Sequence, residues 1–210
     1  MSVKKILRFD KQKQIIDFIQ RNSKFNKKKE IDIALPGGTS WTSIYKKLAN
    51  EIKCKKINIY LTDERCTSKI NYSNYNLVKN IFKKKKFIIN KFYINNSAKK
   101  SLLNYNKKLP EKMDLILASL GNDGHVFSWF DKKKIVSTKK TLYSVSSGKN
   151  KFNRISLSES YVNRCAKVFL LVNQNKKSIF EEMYSSKKKY YPVKKLKIDY
   201  LIIHKSIKIK

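Results

Sequence analysis

Apolar positions along the chain fall into two alternating rhythms. Short apolar runs bounded by turn-forming residues read as strands at 31–35, 57–61, 87–94, 113–120, 142–145, 154–157, 168–172 and 199–204. Between them, apolar residues recur at helical spacing. Ile15, Ile16, Phe18 and Ile19 form one side of a helix over 11–21, and Trp41, Ile44, Tyr45 and Leu48 do the same ahead of Ile52. A helix over 75–82 turns Leu77, Val78, Ile81 and Phe82 inward, and one over 176–185 buries Ile179, Phe180 and Met183. A further helix over 97–109 stops before Pro110, and Ser158 caps a short one. Strands alternating with helices predict an α/β layered sandwich, Rossmann-like, with a mainly parallel central sheet flanked by helices.

Three of the strand-like runs end in polar or glycine-rich clusters. Residues 31–35 run into Pro36-Gly37-Gly38-Thr39-Ser40, residues 57–61 into Thr62-Asp63-Glu64-Arg65, and residues 113–120 into Gly121-Asn122-Asp123-Gly124-His125. In an open parallel sheet the ligand crevice lies outside the carboxyl ends of the strands, so these clusters converge in space although they are far apart in sequence. That convergence is a stronger argument than any one motif.

Each cluster has its own chemistry. Gly37-Gly38-Thr39-Ser40 opens into a helix, where free backbone N–H groups and the helix dipole make an anion site. From this segment alone, a plain glycine turn with a serine cap competes on nearly equal terms. It is not a P-loop, because the lysine-Ser/Thr ending is missing. Asp63-Glu64-Arg65 puts three charges at a strand end, which on an ordinary surface is a solvated ion-pair cluster. His125 follows a turn of Gly, Asn and Asp residues that tolerate unusual backbone angles. An unperturbed imidazole titrates near pH ~6.5, so at neutral pH it is mostly free base and can take a proton from water. Asp123 either orients that imidazole or caps the backbone of the turn. His204, beside Lys205 in a terminal strand, reads as structural.

Composition narrows the picture further. A chain of 210 residues with 41% apolar residues supports one substantial core, so a single domain over 1–210 is expected. No stretch approaches the roughly 20 apolar residues of a membrane span, and the opening MSVKKILRFD breaks into charge before a signal-peptide core forms. The expectation is a cytoplasmic, soluble protein with no membrane partner, monomeric or dimeric. Cys54, Cys66 and Cys165 are odd in number and widely spaced, which points to reduced thiols rather than disulfides or a zinc knuckle. With two isolated histidines there is no call for a metal, and nothing asks for a cofactor. The net charge of +34 gives a sequence-independent pull on phosphate. Its lysines lie in short clusters along the whole chain (27–29, 83–86, 132–134, 187–189) without a nucleic-acid recognition motif, so no specific nucleic-acid partner is expected.

Taken in order, Gly37-Gly38-Thr39, Asp63-Glu64-Arg65 with Ser73-Asn74, Gly121-Asn122-Asp123-Gly124-His125, and Arg154-Ile155-Ser156-Leu157 resemble the 6-phosphogluconolactonase family. That family belongs to a superfamily shared with glucosamine-6-phosphate isomerase/deaminase. The resemblance runs from about residue 31 to 177. It implies hydrolysis of a sugar-phosphate lactone in the oxidative pentose phosphate pathway, with His125 activating the attacking water. It also implies that Gly37, Gly38, Thr39 and Ser40 line the sugar-phosphate site, that Asp63 and Arg65 sit on the active-site floor, and that Arg154 and Lys177 anchor the phosphate. The chain departs from the family at Asn173-Gln174-Asn175, where a glycine is usual before the lysine, and at residues 126–130, which are bulkier than usual. Two rival readings remain. One is the isomerase/deaminase, whose acidic residue after the histidine is replaced here near Phe130; the other is a non-catalytic family member that binds polyanions.

Overall fold

The computed structural model describes residues 3–23, 25–92, 97–130, 135–144, 152–165, 167–185 and 191–209. The elements in chain order are β1 (Val3–Phe9), α1 (Gln12–Ser23), β2 (Glu30–Leu35), α2 (Thr39–Glu51), β3 (Lys56–Leu61) and β4 (Asp63–Arg65). Next come α3 (Asn74–Ile81), β5 (Phe87–Ile89), α4 (Ala98–Lys108), β6 (Leu115–Ser119), β7 (Ile135–Ser137) and β8 (Thr141–Ser144). The chain closes with β9 (Arg154–Leu157), α5 (Glu159–Val162), β10 (Val168–Val172), α6 (Lys177–Ser185) and β11 (Ile198–His204).

Seven strands form a parallel sheet in the order β1-β11-β10-β6-β2-β3-β5, flanked by the helices, as the alternating pattern predicts. Central strands read as continuous apolar runs because both faces are covered; β10 is buried at every position. From β2 the chain winds outward through β3 to β5, then returns to place β6 on the other side of β2 and winds away through β10 and β11. The order therefore reverses between β2 and β6, the place where an open α/β sheet leaves a crevice at its carboxyl end. Trp41 of α2 fixes this junction: its indole N–H donates to the Ala118 carbonyl of β6 at 3.1 Å.

Three findings differ from the sequence reading. β1 carries lysines and exposed positions as an edge strand beside β11, so it has no apolar run to reveal it. The strand expected over 87–94 is paired only at Phe87–Ile89, and Ile94 lies outside the described residues, as does Val145 at the end of the 142–145 strand. The charged cluster after β3 is itself a strand. With only Thr62 between them, β3 passes into β4, which belongs to a second, antiparallel sheet of order β4-β9-β8-β7. No helix among the described residues is long and apolar enough to cross a membrane.

Candidate active site

A cavity of about 300 Å³ opens at the β2/β6 reversal. It is lined by Pro36, Gly37, Gly38, Thr39 and Ser40 after β2, by Asp63, Arg65, Asn74 and Arg154 from the small sheet and its neighbour α3, and by Ser119, Leu120, Gly121, Asn122, His125 and Phe127 after β6, with Lys176 closing one side. Three clusters separated by dozens of residues thus share one pocket. Asp123 stands beside it, bonded to His125, while Lys177 begins α6 and is not among the lining residues.

Strand register explains the charged floor. β4 and β9 run antiparallel with Arg65 directly opposite Arg154 and Asp63 opposite Ser156. Opposed residues point to the same face, and residues two apart on a strand do as well, so Asp63, Arg65 and Arg154 project together. Two like charges facing across a ladder oppose folding. Burial first, and then the neighbouring Arg154 guanidinium, pull the Arg65 pKa below its usual value. What holds the pair is a set of acceptors. Asp63 Oδ2 accepts from Arg154 at 3.3 Å and from the Ser128 hydroxyl at 2.8 Å, and Arg65 donates to Asn74 Oδ1 at 3.0 Å and to the Tyr72 carbonyl at 2.9 Å. Arg154 Nε is buried with no hydrogen-bond partner among the described residues, one donor left over for an acceptor from outside the chain.

Glu64 has a different task. It points away from the arginines to the start of α3, accepting from the backbone N–H groups of Asn74 at 2.9 Å and Tyr75 at 2.8 Å and from the Ser73 hydroxyl at 3.1 Å. Burial raises its pKa, and the backbone donors oppose that rise. Asn74 is the joint of this arrangement: its amide donates to the Asp63 carbonyl at 2.9 Å while its oxygen receives Arg65. Gly37 packs against it so closely that a β-carbon there would lie 1.9 Å from Asn74 Oδ1.

The imidazole is held from one side. His125 Nδ1 bonds the Asp123 carboxylate, which also accepts from the His125 backbone N–H at 3.3 Å. A carboxylate on Nδ1 fixes the proton there and leaves Nε2 as the basic nitrogen. The same bond pulls the Asp123 pKa down to about 2. Phe130 packs on the imidazole with ring centroids 4.8 Å apart. The turn needs its second glycine: Gly124 sits at φ 76°, and a β-carbon there would meet the Tyr191 ring at 2.4 Å. Phe127 adopts φ 55°, a left-handed conformation that costs a bulky residue energy and clusters at functional sites.

On the opposite wall, Gly38 at φ 92° is the N-cap of α2 and gives no side-chain cap, and it lines the pocket with Thr39 and Ser40, so the first turn of α2 brings its uncapped end to the site. The Lys176 ammonium bonds Asn122 Oδ1 beside the histidine turn. Among the described residues no group of three or more His, Cys, Asp and Glu side chains is placed to hold a metal ion. Cys66, next to Arg65, is pushed up to about 11 by burial and is not a poised thiolate.

Sequence reasoning found the clusters but not the residues that fasten them. Ser128 and Lys176 lie in stretches with no motif to mark them, and Asn74 and Asn122 are legible only as members of the Ser73-Asn74 pair and the Gly121–His125 turn.

Residues 12–201 match the family described as glucosamine-6-phosphate isomerases/6-phosphogluconolactonase. A 6-phosphogluconolactonase of Borreliella burgdorferi is 30% identical over 192 residues, covering 82% of this chain and 80% of that protein. One from Thermotoga maritima is 27% identical over 161 residues, covering 71% of this chain and 72% of its own. The crystal structure of a Thermotoga maritima 6-phosphogluconolactonase superposes with a TM-score of 0.80 at 20% identity, covering 96% of this chain and 98% of the other.

Proposed function

The chain belongs to the glucosamine-6-phosphate isomerase/6-phosphogluconolactonase family, and from that premise we propose that it hydrolyses 6-phospho-D-glucono-1,5-lactone to 6-phosphogluconate. The observation that carries this reading is one imidazole, fixed through Nδ1 by Asp123, sharing a pocket with two arginines that face each other across a ladder. A lone base and a preset anion pole suit water attack on a phosphorylated ester.

In this reading His125 Nε2 takes a proton from water as the oxygen attacks the lactone carbonyl carbon. The tetrahedral oxyanion then collapses, the bond from that carbon to the ring oxygen breaks, and the imidazolium returns its proton to the departing alkoxide. The new carboxylic acid ionises to the product carboxylate. Asp123 stabilises the imidazolium between the two steps. Arg154, with its spare Nε donor, and Arg65 hold the substrate anion, assisted by the α2 N-terminus with Thr39 and Ser40 and by Lys176. Asp63 serves the site by holding Arg154, since its carboxylate is already engaged by Ser128 and Arg154. The substrate and product are small soluble metabolites, and the reaction is assigned to the cytoplasm.

The test is a coupled assay in which the lactone is generated in place and its hydrolysis is compared with the spontaneous background. Clear acceleration is expected. The isomerase/deaminase reading is checked by incubating the protein with glucosamine 6-phosphate: no ammonia above blank is expected, because Phe130, not an acidic residue, packs on the imidazole.

A further inference from the structure

The parallel sheet places the start of every strand on the side opposite the pocket, and there it gathers lysines that are scattered in sequence. Residues 27–29 lead into β2, residues 53, 55 and 56 lead into or open β3, and residues 83–86 lead into β5, ten lysines on three strands that are neighbours in the sheet. Main-chain bonds stitch the clusters together: Lys56 N–H donates to the Lys29 carbonyl at 3.1 Å, and Ile57 N–H donates to the Lys86 carbonyl at 2.8 Å. Beneath them the buried Cys54 thiol reaches the carbonyls of Lys28, Lys29 and Lys56 at 3.2–3.4 Å. All but Lys86 are exposed, and among the described residues only Lys28, with Asp114, and Lys56, with Glu30, form ion pairs.

We infer that this face binds the phosphodiester backbone of nucleic acid without regard to sequence, as a function separate from the pocket. The three strands span about 10 Å at the usual strand spacing, a compact basic ridge against a polymer that carries one negative charge per ~1.7 Å of duplex. Phe25, Phe82 and Phe87 around the ridge are buried, so these rings offer no platform on which bases stack, and the contacts are to phosphate. The exposed Ile88 of β5 is only a small apolar anchor beside such a patch, which disfavours an anionic membrane, where stable attachment takes a second, apolar signal besides a basic patch.

The test compares two variants of equal net charge. One carries Lys29→Gln, Lys53→Gln, Lys55→Gln and Lys84→Gln in the ridge; the other carries Lys11→Gln, Lys99→Gln, Lys100→Gln and Lys208→Gln elsewhere. Binding of a labelled mixed-sequence oligonucleotide, single-stranded and duplex, is followed by fluorescence anisotropy from about 50 to 200 mM salt. The ridge variant is expected to bind at least tenfold more weakly than the control variant. Its log–log salt slope for the single strand should be shallower by on the order of three, at about 0.7 per lost phosphate contact. Both variants should hydrolyse the lactone like the unaltered protein, which establishes that they are folded. Equal losses in the two variants would mean that the overall charge alone attracts the polymer, and the inference fails. It also fails if the ridge proves necessary for binding vesicles of anionic lipid while the oligonucleotide is not bound.

Discussion

Gly121 lies against the ring of His125, and a β-carbon added at Gly121 would meet the imidazole Nδ1 and Cε1 at 2.2 Å. The base can occupy its place only because the residue four positions earlier has no side chain.

Two substitutions therefore reach the same atom by different routes. His125→Asn removes the base, and a general base contributes typically 10²–10⁴-fold to rate; Gly121→Ala keeps the base but displaces it. Both should lower kcat strongly and leave KM nearly unchanged in steady-state kinetics of lactone hydrolysis. Full turnover by folded His125→Asn would remove His125 from the mechanism.

Arg154 should act as an anchor for phosphate, not as one more surface cation. A charge-assisted contact of this kind is worth on the order of 1.5–3 kcal/mol, so Arg154→Ala should cost roughly tenfold or more in kcat/KM for the phosphorylated lactone. Weak activity on unphosphorylated gluconolactone should barely change. Lys85→Ala, an exposed control, should do neither, since exposed charge is screened beyond about 8 Å at physiological salt. Equal small effects that vanish in added salt would count against the pocket assignment.

Asp123 sets a sign for pH dependence. Its folded pKa of about 2 lies below the unperturbed carboxylate value near ~3.9, so its bond to His125 contributes stability that is present above the higher value and lost as pH falls toward the lower. The carboxylate is more than half exposed, and solvent screening keeps that contribution small. The stability difference between the unaltered protein and Asp123→Asn should shrink as pH falls below about 4. A difference that keeps growing below about pH 4 in denaturation curves would contradict the pairing. Near neutral pH the same substitution should lower kcat by loosening the imidazole.

Glu64 should matter to folding more than to chemistry. Glu64→Ala strands the first N–H groups of α3 and is expected to destabilise the protein by about 1–3 kcal/mol in urea or thermal unfolding. Glu64→Gln keeps an acceptor and should cost less. If Glu64→Ala left stability unchanged and abolished turnover, its assigned role as a helix cap would be wrong.

The sequence made some levels of this structure legible and hid others, for physical reasons. β6 and β10 were readable because strands buried on both faces must be apolar throughout, and the Gly121–His125 turn because its residue types serve few other purposes. β4 was hidden: Asp63-Glu64-Arg65 has no apolar run, since its strand is held by pairing with β9 and by its ligand-facing charges. The site clusters were visible as three strand ends, but the opposition of Arg65 and Arg154 depends on a register between segments some ninety residues apart. Ser128 shows the limit most plainly. A lone serine among bulky residues gives no sign that its hydroxyl will reach the Asp63 carboxylate.

The division of labour between the two sheets makes activity a report on assembly. His125 hangs from the end of β6 in the large sheet, while Arg65 and Arg154 ride on the small one, which is tied to its neighbour through Thr62, the Trp129 indole on the Leu157 carbonyl at 2.8 Å, and Ser128 on Asp63. Were the small sheet to swing away with the large one intact, the base would remain in place and the arginines would depart with their hold on the anion. Such a half-open molecule keeps most of its core and cannot retain substrate; conversely, a bound anion bridging the arginines and the start of α2 clamps the two sheets together. Substrate held in this way would be a structural member of the fold, joining two sheets that the chain itself ties together at only a few points.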